Sequence, residues 1–133
     1  MVHLYVAEMI LYEGEAFTIE WYHSANGKSQ ALEFYKELDR DRRIQLLKMV
    51  KLMGDAGHIR NKTKFRNEGD KIFAFKPKPD RFLCFFSIGK KIIITNAFTK
   101  KADKLPKREK ERALRHMQDY IDRVKKETYY EQE

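Results

Sequence analysis

Three short apolar runs between residues 62 and 104 dominate the hydrophobic pattern of the chain. They read FAF (73–75), FLCFFSI (82–88) and IIITNAF (92–98). All three are rich in aromatic and β-branched residues, which is typical of strands. Gly69, the KPKPD segment at 76–80 and Gly89 separate them and predict turns. The pattern therefore predicts an antiparallel meander that forms both the core of the fold and the platform of its chemistry.

The first residues of the chain are less strongly patterned. Residues 1–16 are compatible with an N-terminal extension or with an extra strand at the edge of the sheet. Residues 17–22 alternate apolar Phe17, Ile19 and Trp21 with more polar positions, which predicts a half-buried strand.

A helical region follows the first strand. Ser29 is suited to cap a helix over residues 30–38, and a second helix with a broad apolar side runs to about residue 53. Residues 39–41 interrupt the pattern, so we expect a helical hairpin instead of a single rod. Two glycines suitable for ending the second helix are present: Gly54 and Gly57.

The C-terminal part of the chain predicts one long helix. Leu105 and Pro106 open this helix, because proline is well tolerated in a first helical turn. Apolar residues recur at three- and four-residue steps in the stripe Ala113, Leu114, Met117, Tyr120, Ile121 and Val124. For residues 128–133 the sequence predicts a frayed C-terminal tail. Together the patterns predict a single α+β domain over residues 1–133, with a small antiparallel or mixed sheet.

The charge of the chain is concentrated on the predicted meander. The net charge is +8 overall, and residues 59–104 contain 13 Lys and Arg against 4 Asp and Glu. The balance is −2 for residues 1–58 and +1 for residues 105–133. A localised positive excess favours a polyanionic partner, most simply a nucleic acid. The alternative is a basic patch that binds an acidic protein segment.

Several other classes of site are disfavoured by the sequence. Its single cysteine, Cys84, lies in an apolar strand and cannot form an intrachain disulfide, which points to a buried thiol and to the reducing cytoplasm. No apolar run is long enough to span a membrane. The four histidines are scattered without the spacing of metal ligands, so we expect no metal and no cofactor.

At the level of element order and motifs, the chain resembles the RelE/ParE superfamily of bacterial toxins, and within it the HigB-like, phage-derived branch. Three segments carry the resemblance: FTIEWYHSANGKSQALEFYKELD, TKFRNEGDKIFAF and NAFTKKADKLPKREKERA. The third is the most specific, because it combines a strand end, a basic pair and a helix start. The resemblance covers about residues 17–124 and implies a RelE-like fold with an N-terminal helical hairpin and a C-terminal helix.

The resemblance implies the toxin of a type II toxin–antitoxin system, which cleaves messenger RNA on the ribosome and is silenced by an antitoxin, typically a helix-turn-helix protein. In such endoribonucleases the 2′-hydroxyl attacks the adjacent phosphate, with Lys and Arg as catalysts. Matching positions imply catalytic roles for Lys64, Arg66, Lys71 and Lys100. They imply RNA-binding roles for Lys62, Arg81, Phe98 and Lys101.

Two alternatives of other classes remain open. One is a noncatalytic, ParE-like inhibitor of DNA gyrase, and the other is a degenerate RelE-fold binding module. The basic cluster at 62–71 favours the nuclease over the gyrase inhibitor. Lys71 stands where the family usually has arginine, so the hypothesis of a degenerate binding module also remains open.

Overall fold

A six-stranded mixed sheet and three helices make up residues 9–130, the part of the chain that the computed structural model describes. The strands are β1 (Ile10–Glu13), β2 (Thr18–Trp21), β3 (Phe65–Gly69), β4 (Ile72–Phe75), β5 (Asp80–Ser87) and β6 (Lys91–Thr99). The helices are α1 (Gln30–Glu37), α2 (Arg40–Ala56) and α3 (Lys107–Lys125). The predicted α+β class is confirmed, although the sheet is larger than expected.

The strand order across the sheet is β1-β2-β6-β5-β4-β3. Strands β3 to β6 form the predicted antiparallel meander, and β2 joins it by pairing in parallel with β6. Strand β1 lies at one edge, within the stretch for which an extra strand was considered; residues 1–8 lie outside the described residues. The central strand β6 supplies Ile92, Ile93 and Ile94, all fully buried. Cys84 of β5 is also fully buried, as predicted.

Helices α1 and α2 lie on one face of the sheet and α3 lies on the other. The predicted helical hairpin is not clearly formed, because α1 packs on β6 whereas α2 packs on β1, β2 and β4. Between them, Leu38 has an extended backbone, with φ −70° and ψ 149°. Each helix also has its own N-cap: Ser29 accepts a hydrogen bond from the Leu32 N–H, and Asp39 accepts one from the Arg42 N–H. Each helix is thus anchored to the sheet separately.

One glycine of α2 allows the β1–β2 loop to approach the helix. Gly54 lies inside α2, so its prediction as a helix stop is wrong; the helix ends at Gly57, whose φ is +84°. The Gly54 carbonyl accepts hydrogen bonds from the N–H groups of Ala16 (2.7 Å) and Phe17 (3.0 Å). A Cβ on Gly54 would lie 2.6 Å from the ring of Tyr12. Gly54 is therefore required for close packing and not for termination.

The residues after α3 fold back onto the sheet. Tyr129 is 3% exposed, and its hydroxyl accepts a hydrogen bond from the His23 N–H at 2.9 Å. The Tyr130 hydroxyl donates to Glu20 Oε1 at 2.6 Å and lies 2.7 Å from the Tyr120 hydroxyl. The prediction of a frayed tail is therefore wrong for the segment up to Tyr130, while residues 131–133 lie outside the described residues.

A pH-sensitive group lies near this segment. The His116 ring stacks on Tyr22, with ring centroids 4.5 Å apart. Burial and the positive charges of Arg112 and Arg115, opposed by Asp119, lower the pKa of His116 from 6.5 to about 4. In the unfolded chain the imidazole binds a proton at a higher pH than in the folded protein, so acidification between these two values favours unfolding.

Lowering the pH from 7 to 4 is therefore expected to reduce the free energy of unfolding by about 2–3 kcal/mol through His116. Urea titrations across this pH range measure the effect. A His116→Phe variant, which preserves the stacking on Tyr22, should lose this component of the pH dependence. An identical pH dependence in both proteins would contradict the assignment.

Two side-chain interactions fix the strands where they approach the candidate site. Strand β2 pairs with β6 only as far as Ile94, and beyond it the side chain of Gln30 takes the place of a strand. Gln30 donates to the Ala97 carbonyl at 2.8 Å and accepts from the Ala97 N–H at 2.7 Å. Arg42 binds the fully buried carboxylate of Asp80 with two hydrogen bonds. The start of β5 and the end of β6 are thus held from the α1–α2 side.

Candidate functional site

A cleft of about 540 Å³ opens at the end of the sheet face that α3 covers. We call it the basic cleft. Its walls come from β3 to β6, from the loop of residues 100–106 and from the first turns of α3. Seven Lys and Arg side chains line it, together with four carboxylates and an apolar wall. The cations that the following paragraphs use are Arg66, Lys76, Arg81, Lys100 and Lys110.

The strand register brings these cations together. Arg66 of β3 is opposite Ala74 of β4, which packs on the α3 side of the sheet. Lys76 lies two residues beyond Ala74, so alternation places it on that same side. On β5, Arg81 is opposite Phe98 of β6. Cations on β3, on β5 and directly after β4 therefore converge at one end of the sheet, although up to 15 positions separate them in the sequence.

Arg81 is the most unusual side chain of the basic cleft. It is only 8% exposed, and its Nη1 donates a hydrogen bond to the Asp80 carbonyl at 2.9 Å. Within residues 9–130, no carboxylate lies at ion-pair distance from Arg81. The carboxylate of the neighbouring Asp80 is bound by Arg42 instead. Burial lowers the pKa of the guanidinium. A buried cation without an anionic partner is costly, so this position favours binding of an anion.

The environment of Lys76 lowers the pKa of its amine. Its side chain is half-buried beside the other cations of the basic cleft. Burial is the main cause that lowers the pKa of Lys76, and the positive charges of Arg81, Arg66 and Lys100 lower it further. Only Glu68 acts in the opposite direction. A lysine with a lowered pKa is a candidate general base.

Two carboxylates of the basic cleft are paired with lysines. Asp103 Oδ1 lies 2.7 Å from Lys100 Nζ, within the loop of residues 100–106. Asp70 Oδ2 lies 2.7 Å from Lys110 Nζ, which links the β3–β4 turn to α3. Lys100 and Lys110 are therefore partly neutralised, whereas Arg81 and Lys76 are not paired in this way among the described residues.

The basic cleft brings together four of the eight residues for which the sequence predicted a role. These are Arg66, Arg81, Phe98 and Lys100. Lys64 is adjacent to it, because its carbonyl accepts a hydrogen bond from the Lys76 N–H at 2.8 Å. The other three are exposed and lie outside the lining: Lys62, Lys71 and Lys101. Lys71 is in the β3–β4 turn with φ +70°.

Sequence reasoning missed Lys76. It lies in the KPKPD segment, which was interpreted only as a turn between strands. A usable signal was present, because Phe73 and Phe75 alternate with Ala74 and Lys76. This alternation continues the strand pattern for one residue and places Lys76 opposite the phenylalanine face.

The described residues provide no obvious metal site. Across residues 9–130, no three His, Cys, Asp or Glu side chains are grouped closely enough to hold a metal ion. Helices α1, α2 and α3 are all too short or too polar to cross a membrane.

The fold and the site define a small α+β protein with a cleft rich in Lys and Arg, built on an antiparallel meander. Residues 33–118 match the family model described as Phage derived protein Gp49-like (DUF891). The match covers more than half of the chain and includes β3 to β6, so the chain belongs to this family. The family is associated with RelE-like toxins of toxin–antitoxin systems. No curated protein is significantly similar to the chain.

Proposed function

We propose that the protein is the toxin of a type II toxin–antitoxin system and that it cleaves messenger RNA in the basic cleft. Membership in the Gp49-like family supports the toxin class. The observation that carries the nuclease assignment is Arg81, a buried cation in an open cleft without a carboxylate partner among residues 9–130. Within this class we propose a HigB-like, ribosome-dependent enzyme that acts in the cytoplasm.

The chemistry of this proposal matches the composition of the basic cleft. The 2′-oxygen of RNA forms a bond to the adjacent phosphorus while the bond from phosphorus to the 5′-oxygen breaks. The products are a 2′,3′-cyclic phosphate and a 5′-hydroxyl. One group must accept the proton of the 2′-hydroxyl, another must protonate the leaving 5′-oxygen, and cations must stabilise the charge that develops on the phosphate.

The side chains of the basic cleft can be given these roles. Lys76 is the candidate base, because its lowered pKa increases the fraction of neutral amine. The guanidinium of Arg81 can bind two oxygens of the phosphate at once. Lys100 is the candidate for protonating the leaving oxygen, and Arg66 adds positive charge to the basic cleft. Lys71, which the resemblance implied as catalytic, has no role in this proposal, since it lies outside the lining.

The apolar wall of the basic cleft suits a single-stranded substrate. Phe98 is half-buried beside Arg81 and is joined there by Leu105 and Leu114. An aromatic ring next to a phosphate-binding cation is a common arrangement for stacking an unpaired base. A cognate antitoxin, proposed as a helix-turn-helix protein, would silence the toxin.

Mapping of new RNA 5′ ends after induction of the protein in a bacterium tests the proposal. We expect new ends in phase with reading frames, and we expect their loss in an Arg81→Met variant. Replacing a buried cation with an apolar side chain of similar length should leave the fold intact. The matched control is Arg40→Met, which removes an exposed arginine at the start of α2, on the opposite face of the sheet.

The alternatives predict different results. Growth arrest without new 5′ ends would contradict the nuclease and favour a gyrase-type target. Neither arrest nor cleavage would leave a binding module that shares only the fold. New ends that persist in Arg81→Met would show that the basic cleft is not the site of cleavage.

A further inference from the structure

The loop between β6 and α3 bends back so that it brings a negative charge to the basic cleft. Lys100 is held at the start of this loop, because its N–H donates to the Pro79 carbonyl at 2.8 Å. Three residues later, the Asp103 carboxylate contacts Lys100 Nζ at 2.7 Å. The side chain of Lys100 is 30% exposed, whereas that of Asp103 is fully exposed.

The charge of Asp103 acts on more than its direct partner. A hydrogen bond from Lys100 and the positive charge of that lysine are the main causes that lower the pKa of Asp103, and Arg81 and Lys76 contribute as well. These are the same three cations to which the proposed nuclease mechanism assigns the phosphate and the proton transfer. The Asp103 carboxylate therefore lines the same cleft as the cations that a phosphate group would need, and it contacts one of them, Lys100.

We propose that Asp103 is a built-in competitor for the phosphate group of the substrate. In the free protein its carboxylate neutralises Lys100, and a phosphate that enters the basic cleft displaces it. This inference rests on the proposed function, since it assumes that the basic cleft binds a phosphodiester. It adds a regulatory role for a residue that neither the resemblance nor the family match assigns.

The geometry makes such displacement easy. Within the described part of the chain, the Asp103 side chain has a single polar contact, its ion pair with Lys100. An exposed ion pair of this kind is weak and is screened by salt. A phosphodiester carries the same single charge as the Asp103 carboxylate, and inside the basic cleft it can contact Arg81 and Lys76 as well as Lys100. The free Asp103 can then turn to solvent, because residues 101–104 are all exposed.

Binding of a short, fluorescently labelled 2′-O-methyl oligoribonucleotide tests the proposal. This probe carries the phosphates of RNA but has no 2′-hydroxyl to attack them. Asp103→Asn is expected to lower the dissociation constant about two- to fivefold, the range given by the loss of one exposed ion pair. The matched control is Asp122→Asn, which removes the same charge from an exposed position near the other end of α3.

The outcomes separate this inference from the proposed function. Tighter binding in Asp103→Asn, with little change in Asp122→Asn, would support the competitor role. Equal effects of the two substitutions would overturn it, because only the net charge would then matter. If the probe does not bind, or if Arg81→Met binds it as tightly as the unmodified protein does, both the proposed function and this inference fail.

Discussion

Replacing Lys76 with methionine is expected to lower the rate of RNA cleavage by about 10²- to 10⁴-fold, the usual contribution of a general base. The reason is that Lys76 is the lysine of the basic cleft whose pKa is lowered by burial and by the neighbouring Arg81, Arg66 and Lys100. Single-turnover cleavage assays measure the effect. Binding of the 2′-O-methyl probe by the same variant shows how much of the loss concerns chemistry and how much concerns affinity.

The pH dependence of cleavage gives a second test of this assignment. A base acts in its deprotonated form, so the rate should rise with pH until the pKa of Lys76 is passed. Because this pKa is lowered from its ordinary value, the rate should reach its plateau at a lower pH than an unperturbed lysine would give. Removing a neighbouring cation with Arg66→Met should raise the pKa again and shift the profile to higher pH.

Lys76→Arg is the matched control for the charge. It keeps the cation but cannot lose a proton near neutral pH. We expect it to bind the probe nearly as well as the unmodified protein and to be as slow as Lys76→Met. Normal cleavage by Lys76→Arg would show that Lys76 acts only through its positive charge and would exclude it as the base.

Replacing Tyr129 with alanine is expected to lower the free energy of unfolding by about 3–5 kcal/mol, as for other large aromatic side chains of protein cores. Tyr129 is 3% exposed and packs between the rings of Tyr22, Tyr120 and Tyr130. The guanidinium of Arg123 lies 4.7 Å from its ring centroid. Urea denaturation measures the loss, and a cavity at this position would be difficult to close because four groups surround it.

Tyr129→Phe separates the ring from its hydroxyl. It keeps the packing but removes the hydrogen bond that the Tyr129 hydroxyl accepts from the buried His23 N–H. We expect a smaller loss of about 1–3 kcal/mol. If Tyr129→Ala cost less than about 1 kcal/mol, the C-terminal segment would contribute little to stability and the frayed tail predicted from the sequence would be the better description.

The elements that the sequence predicted correctly are those whose pattern is local. Runs of aromatic and β-branched residues separated by turn residues predicted β4, β5 and β6, and Pro106 together with the apolar stripe gave α3 almost to its ends. The failures concern contacts between residues far apart in the sequence. Gly54 was interpreted as a stop although it permits contact with Tyr12, and Tyr130 was assigned to a tail although it binds Glu20. Neither partner can be inferred from the local pattern.

The basic cleft shows the same contrast between features that the local sequence reveals and contacts between distant residues. A localised positive charge and the family resemblance were sufficient to select Arg66, Arg81 and Lys100, which line one cleft. What distinguishes Arg81 from the other cations is its burial and the capture of the Asp80 carboxylate by Arg42 from the opposite face. Residues 38 positions apart make that contact, so the sequence alone could not reveal it.

The central position of β6 determines at which point of synthesis the cations of the basic cleft can come together. Strand β6 is the link between β2 and the rest of the sheet, and among residues 9–130 it is the last strand. During synthesis, a growing chain that ends before Lys91 can pair neither β2 nor β5 with it, and it lacks Phe98 and Lys100 altogether. The basic cleft is therefore a product of completed folding: a chain that ends before Lys91 contains Arg66, Lys76 and Arg81 but not the site.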